Sequence, residues 1–332
     1  MSKVESITLP VKRIYKQSAA MLVQSLLPVL FLVGTLLVHI GLPNKQMVGS
    51  TGAYTVLLTA VLLVYSGWFV LSIQSSNIQK ILLHQAPISA LFIVIFLVWE
   101  VLTLKFNILP LPYFPSPVKI LDAFVTDGAV IGISAAYSAR LLVVGFGIGA
   151  LAGVATGILM GWYQRFEYWI NPFFRLIGPI PSTAWIPIVL VVFPSSFTAS
   201  IFLLALATWF PVTVMTWSGI SGINRSFFEV ARTLGANERY LIWKVALPAA
   251  LPHVFTGLFM GLGTSFVTLI VAEMLGVKAG LGWYIQWAQG WGEYYKLYAA
   301  LLIMALLFSV IITILFKVKD RVLIWQKGLM KW

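Results

Sequence analysis

The 332-residue chain contains no cysteine, which removes disulfides, thiolate metal sites and cysteine nucleophiles together. Charge is sparse as well: Asp, Glu, Lys and Arg make up 10% of the residues, where a soluble domain carries about a quarter. Only three histidines occur. His39, His84 and His253 sit on different segments, with no carboxylate or second histidine at ligand spacing, and each reads as a packed or interfacial group rather than a metal ligand. The patterns G-x-x-x-x-G-K-[ST], H-E-x-x-H and G-x-S-x-G are all missing. The chain therefore shows no phosphate cradle, zinc framework or serine nucleophile, and an enzyme is not the expected reading.

What it has instead is apolar surface. Sixty per cent of the residues are hydrophobic and the mean hydropathy is +0.95, which excludes an ordinary soluble globule. In a soluble protein a net charge of +12 would point to nucleic acid, anionic lipid or acidic substrates. In a chain this apolar it is first a topology signal, so membrane lipid is the expected partner and nucleic acid is not.

A bilayer crossing needs about 20 mostly apolar residues. Eight segments qualify, at approximately 20–40, 54–73, 88–104, 139–162, 179–193, 197–217, 252–275 and 297–316. The expected fold class is thus an all-α polytopic membrane protein. The fifth segment is short and carries Pro179, Pro181 and Pro187, the mark of a broken or tilted helix whose freed carbonyls neighbouring helices satisfy. The first, behind Lys12, Arg13 and Lys16, is longer than the ~7–15-residue core of a secretory signal and reads as a retained span. Alternating from an inner N-terminus puts sixteen of the 22 Lys and Arg on inner segments. That bias places both termini in the cytoplasm.

Segment 221–252, SGINRSFFEVARTLGANERYLIWKVALPAALP, lies between the sixth and seventh spans on the inner side and is too polar to enter lipid. Asn224 or Ser226 can cap a helix in which Phe227, Ala231 and Leu234 recur at i, i+4 and i+7. Gly235 supplies a stop, and a second turn of helix is expected to end at Leu247 and Pro248. From the residues alone, this is an amphipathic helix on the membrane surface.

The spacing of Glu229, Ala231, Gly235, Val245, Leu247 and Pro248 resembles the EAA loop of ABC importer membrane subunits: Glu-Ala-Ala, three residues, Gly, nine residues, Ile, one residue, Leu-Pro. Val230 and Val245 depart from that pattern. Trp99 and Glu100, LPYFPSP at 111–117, PIPSTAWIP at 179–187 and AEMLGVKAGLGW at 272–283 are similar to the nitrate, sulfonate, taurine and bicarbonate group of these permeases. The resemblance implies a permease of the cytoplasmic (inner) membrane of a prokaryote. Its six-span core (87–318) would follow two additional N-terminal transmembrane helices (20–86), with cytoplasmic segments at 1–19 and 319–332. It also implies a coupling helix that docks on cytoplasmic ABC ATPase subunits. That role is carried onto Glu229, Ala231 and Gly235, with Phe227 and Phe228 as apolar anchors and Arg232 and Pro248 in the same loop. ATP and Mg would be bound by the ATPase, leaving no cofactor in this chain. An extracytoplasmic solute-binding protein, a second copy of the chain as homodimer partner, and a small oxyanion or sulfonate as cargo complete what the resemblance implies. An ATPase-independent secondary transporter or channel is the alternative, and it leaves the 221–252 loop without a purpose.

Gly145, Gly149, Gly153, Gly157 and Gly161 recur every fourth residue in the fourth span, a ridge on which another helix can approach closely. It reads either as static packing or as a sliding interface between transport states. Glu100 and Glu273 are costly inside a membrane; each lies toward an outer span end, where Lys105 and Lys278 are the expected partners. Pro181, Ser182, Thr183, Thr208, Thr213, Thr264, Ser265 and Thr268 are candidates for a translocation path, against the alternative that the hydroxyls bond their own backbone. Trp283, Trp287 and Trp291, at i, i+4 and i+8, read as an interfacial aromatic belt, with a re-entrant gate as the other possibility.

Overall fold

A computed structural model describes residues 8–178, 180–277 and 279–327, and it is helical throughout, with no strand among them. Seven helices are long and apolar enough to cross a membrane, and an eighth crossing is available if the bent pair Gln164–Ile177 and Ser182–Val192, which turns through 82°, is one span. The expected all-α polytopic architecture is therefore present. The expected fifth segment, 179–193, is only the second half of this bent pair, whose first half, Gln164–Ile177, falls where the alternation expects an inner segment; Pro179 itself lies outside the described residues.

Contacts divide the chain into two compact units. The first runs to Asp127 and includes Gly292–Ala299. It contains α1 (Thr8–Gly41), α2 (Gly52–Gln74), α3 (Ser76–Glu100) with a π-helical extension (Val101–Lys105), and α4 (Pro117–Thr126). Leu32, Tyr54, Leu58, Leu104 and Val118 form its buried core. Glu100 is fully buried there, but its partner is not Lys105. The carboxylate meets His39 Nδ1 at 2.6 Å, and His39 Nε2 lies 3.1 Å from Thr55 Oγ1. Lys105 instead donates to the carbonyl oxygens of His39 and Leu42 and to Asn44 Oδ1. The reason is geometric: the ammonium reaches the oxygens that α1 leaves free at its C-terminal end, while the imidazole occupies the carboxylate. Gln46, just beyond α1, bonds both Phe114 O and Ser116 N, tying down the LPYFPSP loop.

The second unit comprises Gly128–Trp291 and the chain from Ala300 onward. Its elements are α5 (Gly128–Trp162), α6 (Gln164–Ile177), a 3₁₀ turn (Ser182–Trp185), α7 (Ile186–Val192), α8 (Ser196–Ser221), α9 (Arg225–Thr233), α10 (Glu238–Tyr240), α11 (Leu247–Gly276) and α12 (Leu281–Gly290). The long helix α13 (Tyr294–Val322) and the short α14 (Ile324–Lys327) end the described chain. The glycine ridge of α5 meets a ridge of α8 with the same period. A Cβ built on Gly145, Gly149, Gly153, Gly157 or Gly161 would overlap Leu204, Thr208, Val212, Thr216 or Ile220 respectively. Both series rise together, so α5 and α8 run parallel. Parallel neighbours require the intervening chain to return across the unit, and only the broken segment 164–192 is available to do so. The bent pair is thus a true crossing, and the expected eight stand. Helix α11 packs antiparallel against α8, with Gly257 over Val212 and Met215 and Gly261 over Thr208, so Thr208 and Val212 are gripped by both neighbours.

The helix after α9 does not end at Leu247 and Pro248. It continues from Glu238 to Gly276 as one apolar rod, through a π-helical turn at Leu241–Ala246 in which Leu247 N bonds Ile242 O. A proline has no N–H and its ring crowds the carbonyl four residues earlier; the wider turn absorbs Pro248 without a break.

Candidate functional site

Two places in the second unit gather the candidate residues. The first is the exposed end formed by α9. Asn224 is its cap, accepting from Ser226 N. At the other end Gly235 has φ +86°, with Ala236 N bonded to Ala231 O and Gly235 N to Arg232 O. This pair of bonds is a Schellman stop, which favours glycine at that position because a side chain at positive φ is strained. Phe227, Val230 and Leu234 are all more than half exposed. Phe228 turns the other way, stacking edge-on to Trp162 at 5.4 Å beside Ile220, Ala246 and Ala250. Of the two expected anchors, then, Phe227 faces outward and Phe228 holds α9 to the bundle. Glu229 and Arg232 line a surface hollow of about 530 Å³ with Arg225, Glu238 and Trp162. Ala231 is half-buried, and Pro248 lies in the rod that follows.

The second place is the break between α6 and α7. The end of α6 lies against the middle of α8, with Phe174 on Trp209 and Phe210, so the break falls inside the bundle. A cavity of about 570 Å³ opens there, within the range typical of ligand sites. Pro181, Ser182, Thr183, Thr264 and Thr268 line it, as do Trp209, Phe210 and Met260. Ser182 Oγ and Thr268 Oγ1 are 2.7 Å apart. Thr208, Thr213 and Ser265 are not on this wall. They are buried between helices and bond the backbone oxygens of Leu204, Trp209 and Leu262. Thr264 and Thr268 make the same kind of bond to their own helix, to Met260 O and Thr264 O. The aromatic residues of the wall escaped the sequence reading; the adjacent pair Trp209 and Phe210 in the middle of the span was the available signal.

Glu273 is buried outside the cavity. Its carboxylate accepts from Ser138 Oγ at 2.7 and 2.9 Å and from Gly282 N at 2.8 Å, while Ser138 Oγ accepts from Leu281 N. The carboxylate and hydroxyl thus cap the first amides of α12, where a negative group is favoured. Gly280, at φ +119°, leaves the space this requires, since a Cβ there would overlap the Glu273 carboxylate. Lys278, the expected partner, lies outside the described residues. The short helix so anchored carries Trp283 and Trp287, whose rings stack at 6.5 Å. Among the described residues no group of His, Asp and Glu is placed to hold a metal.

Residues 145–323, more than half of the chain, match the family described as the binding-protein-dependent transport system inner membrane component. The chain belongs to this family. This inner membrane component is similar to an ABC transporter permease protein of Methanocaldococcus jannaschii, with 30% identity over 176 residues that cover 52% of this chain and 64% of the relative. It is 34% identical over 163 residues to the aliphatic sulfonates transport permease protein SsuC of Bacillus subtilis, covering 47% of this chain and 57% of that one. The bicarbonate transport system permease protein CmpB of Synechococcus elongatus is 34% identical over 106 residues, 32% of this chain and 38% of that protein. The chain thus spans less than two thirds of the length of each of these relatives. A structural superposition on the MetNI methionine ABC transporter in an inward-facing conformation has a TM-score of 0.49 at 19% identity, covering 59% of this chain and 97% of that one.

Proposed function

We propose that this inner membrane component is the membrane-spanning permease subunit of an ATP-driven ABC importer. The observation that carries the reading is α9: a capped, Schellman-stopped helix with Phe227, Glu229, Val230 and Arg232 exposed, at the end of the unit where α5 and α8 both finish. An amphipathic helix presented this way suits a groove on a second protein. That protein is a cytoplasmic ABC ATPase, which binds ATP and Mg and closes on them; this chain performs no covalent chemistry. The 221–252 loop and both termini then lie in the cytoplasm. Two copies of the chain enclose the path between their α6–α7 breaks, and an extracytoplasmic solute-binding protein delivers cargo. The printed names of two relatives, sulfonate and bicarbonate, make a small oxyanion or sulfonate the first cargo to test.

The alternative, a carrier that needs no ATPase, commonly relies on ionisable groups beside the solute. Here Glu100 and Glu273 are both engaged elsewhere, by His39 and by Ser138 with Gly282. Co-purification from mild detergent decides between the two. The tagged chain retains an ATPase, and Glu229→Lys or Gly235→Asp releases it and stops uptake. Uptake that survives both substitutions, or a chain that never retains an ATPase, refutes the importer reading.

A further inference from the structure

Arg175 stands in the second unit at a depth where a charge is costly. It belongs to the last turn of α6, next to Phe174, whose ring packs on Trp209 and Phe210. With Asn171 it lines a hollow of about 470 Å³ whose other wall includes Phe210, Val214 and Trp217 of α8. Phe210 and Val214 stand roughly 10–16 Å along the helix axis from the end of α8 at Ser221. Helix α8 is about 39 Å long against a hydrocarbon core of ~30 Å, so both levels fall within the hydrocarbon.

An arginine at that depth is expected to have a partner or to line a water-filled space. Arg175 Nε donates to Asn171 Oδ1 at 3.2 Å, one turn back on the same helix. The remaining N–H groups of its guanidinium have no partner among the described residues. The sequence holds ten Asp and Glu, of which only Glu100 and Glu273 fall inside the apolar stretch of a span, and both are engaged elsewhere. Glu167 precedes Arg175 by two turns of α6, about 12 Å along the axis. A second copy rotated about the membrane normal repeats the same groups at the same depths. It therefore brings no carboxylate level with Arg175, and where the two copies meet it adds a second guanidinium.

The hollow shares Gly178, Phe210 and Val214 with the larger cavity at the α6–α7 break, and it extends from there toward the end of α8. With the 221–252 loop in the cytoplasm, this is the inner mouth of that cavity. We infer that Arg175 holds an oxyanion at this mouth and receives the anionic head of a solute on its way inward. The inference rests on the importer reading and gives its cargo class a residue in the membrane subunit. The chemistry suits the place: a guanidinium offers paired N–H groups to the oxygens of a carboxylate or sulfonate. Arginine also keeps its charge throughout the accessible pH range. It supplies attraction without proton coupling, and so lends nothing to the ATPase-independent carrier.

The chain's lack of cysteine provides the test. Val214→Cys and, as a second reporter, Trp217→Cys each place a thiol on the wall of the hollow, and Ser226→Cys on exposed α9 is the reference. Full-length variants in phosphatidylcholine nanodiscs are treated with 2-sulfonatoethyl methanethiosulfonate or 2-(trimethylammonium)ethyl methanethiosulfonate, which share a reactive group and differ in charge. With each rate divided by that at the reference in the same background, the sulfonate is expected to label the wall about ten-fold faster than the cation while Arg175 is present. Arg175→Lys should keep most of that preference and Arg175→Gln should lose it. Excess ethanesulfonate should slow the sulfonate reagent with Arg175 in place and leave Arg175→Gln unaffected. A preference that survives Arg175→Gln, is lost as fully in Arg175→Lys, or comes without protection by ethanesulfonate overturns the inference and leaves the importer reading intact. Loss of the preference when phosphatidylglycerol is added to the nanodiscs assigns the guanidinium to a lipid phosphate and also overturns it. If neither reagent reaches either wall position while the reference reacts, the hollow is sealed, and the reading of the break as part of the path falls with the inference.

Discussion

Replacing Gly149 by alanine adds one methyl group to the most crowded line in the protein. The new Cβ would lie 2.9 Å from Ala205 Cα and 2.7 Å from Thr208 Cβ, and would press on the Ala205 carbonyl. Ordinary carbon contacts begin near 3.5 Å, so the overlap is more than half an ångström against backbone, which cannot rotate away as a side-chain tip can. Relief requires α5 and α8 to part along a contact that runs from Gly145 to Gly161. Overpacking of this kind costs about 1–3 kcal/mol. Gly147, two residues earlier on the same helix, has open space around its would-be Cβ. There the same substitution gains up to about 1 kcal/mol from helix propensity. The two variants therefore move in opposite directions although they differ by two positions in one helix. Unfolding in mixed micelles of rising dodecyl sulfate content, followed by circular dichroism, measures both. Equal stability of the two variants, or greater stability for Gly149→Ala, refutes the packing argument.

Gly153→Leu in a complex with the proposed ATPase separates static packing from a sliding interface: lost assembly supports the first, and an assembled transporter whose ATP hydrolysis no longer responds to solute supports the second. His39→Ala removes the ring nitrogen that meets the buried Glu100 carboxyl at 2.6 Å and is expected to destabilise the first unit by about 1–3 kcal/mol; the double replacement His39→Leu, Glu100→Met should restore most of that loss in the same unfolding assay, and failure to do so contradicts the pairing. Glu273→Ala strands Gly282 N and Ser138 Oγ and should cost about 1–3 kcal/mol, with faster amide exchange at Leu281 and Gly282 as its local signature; unchanged exchange there would mean the cap is not held by Glu273.

The number and order of crossings were legible because each depends on a run of apolar residues, a property of composition that needs no partner. The Gly235 stop was legible for a similar reason: a helix end at positive φ is a local demand. Partner choice was not. Glu100 and Lys105 are five residues apart, yet each bonds groups more than 55 positions away, and only the packing of α1 and α2 on α3 brings those groups into reach. The path candidates divided for the same reason. Thr264 and Thr268 share α11 with Ser265, and a helical rotation of about 100° per residue sends Ser265 into a helix contact while the other two reach the cavity. The continuation through Pro248 was missed because proline was read as a stop, and a π-turn is not signalled by any residue type.

The His39, Glu100 and Lys105 cluster ties the third span to groups that precede it by some sixty residues. The first two spans enter the membrane carrying an imidazole at the end of α1 and a row of free carbonyl oxygens after it. Some sixty residues later the third span brings the carboxylate and the ammonium that match them. Without those earlier groups the third span would leave two buried polar groups, the Glu100 carboxyl and the Lys105 amine, lacking partners. The leading helices therefore supply the partners of both polar groups at the end of the third span. A version of the chain lacking them would have to change both Glu100 and Lys105 in the same step.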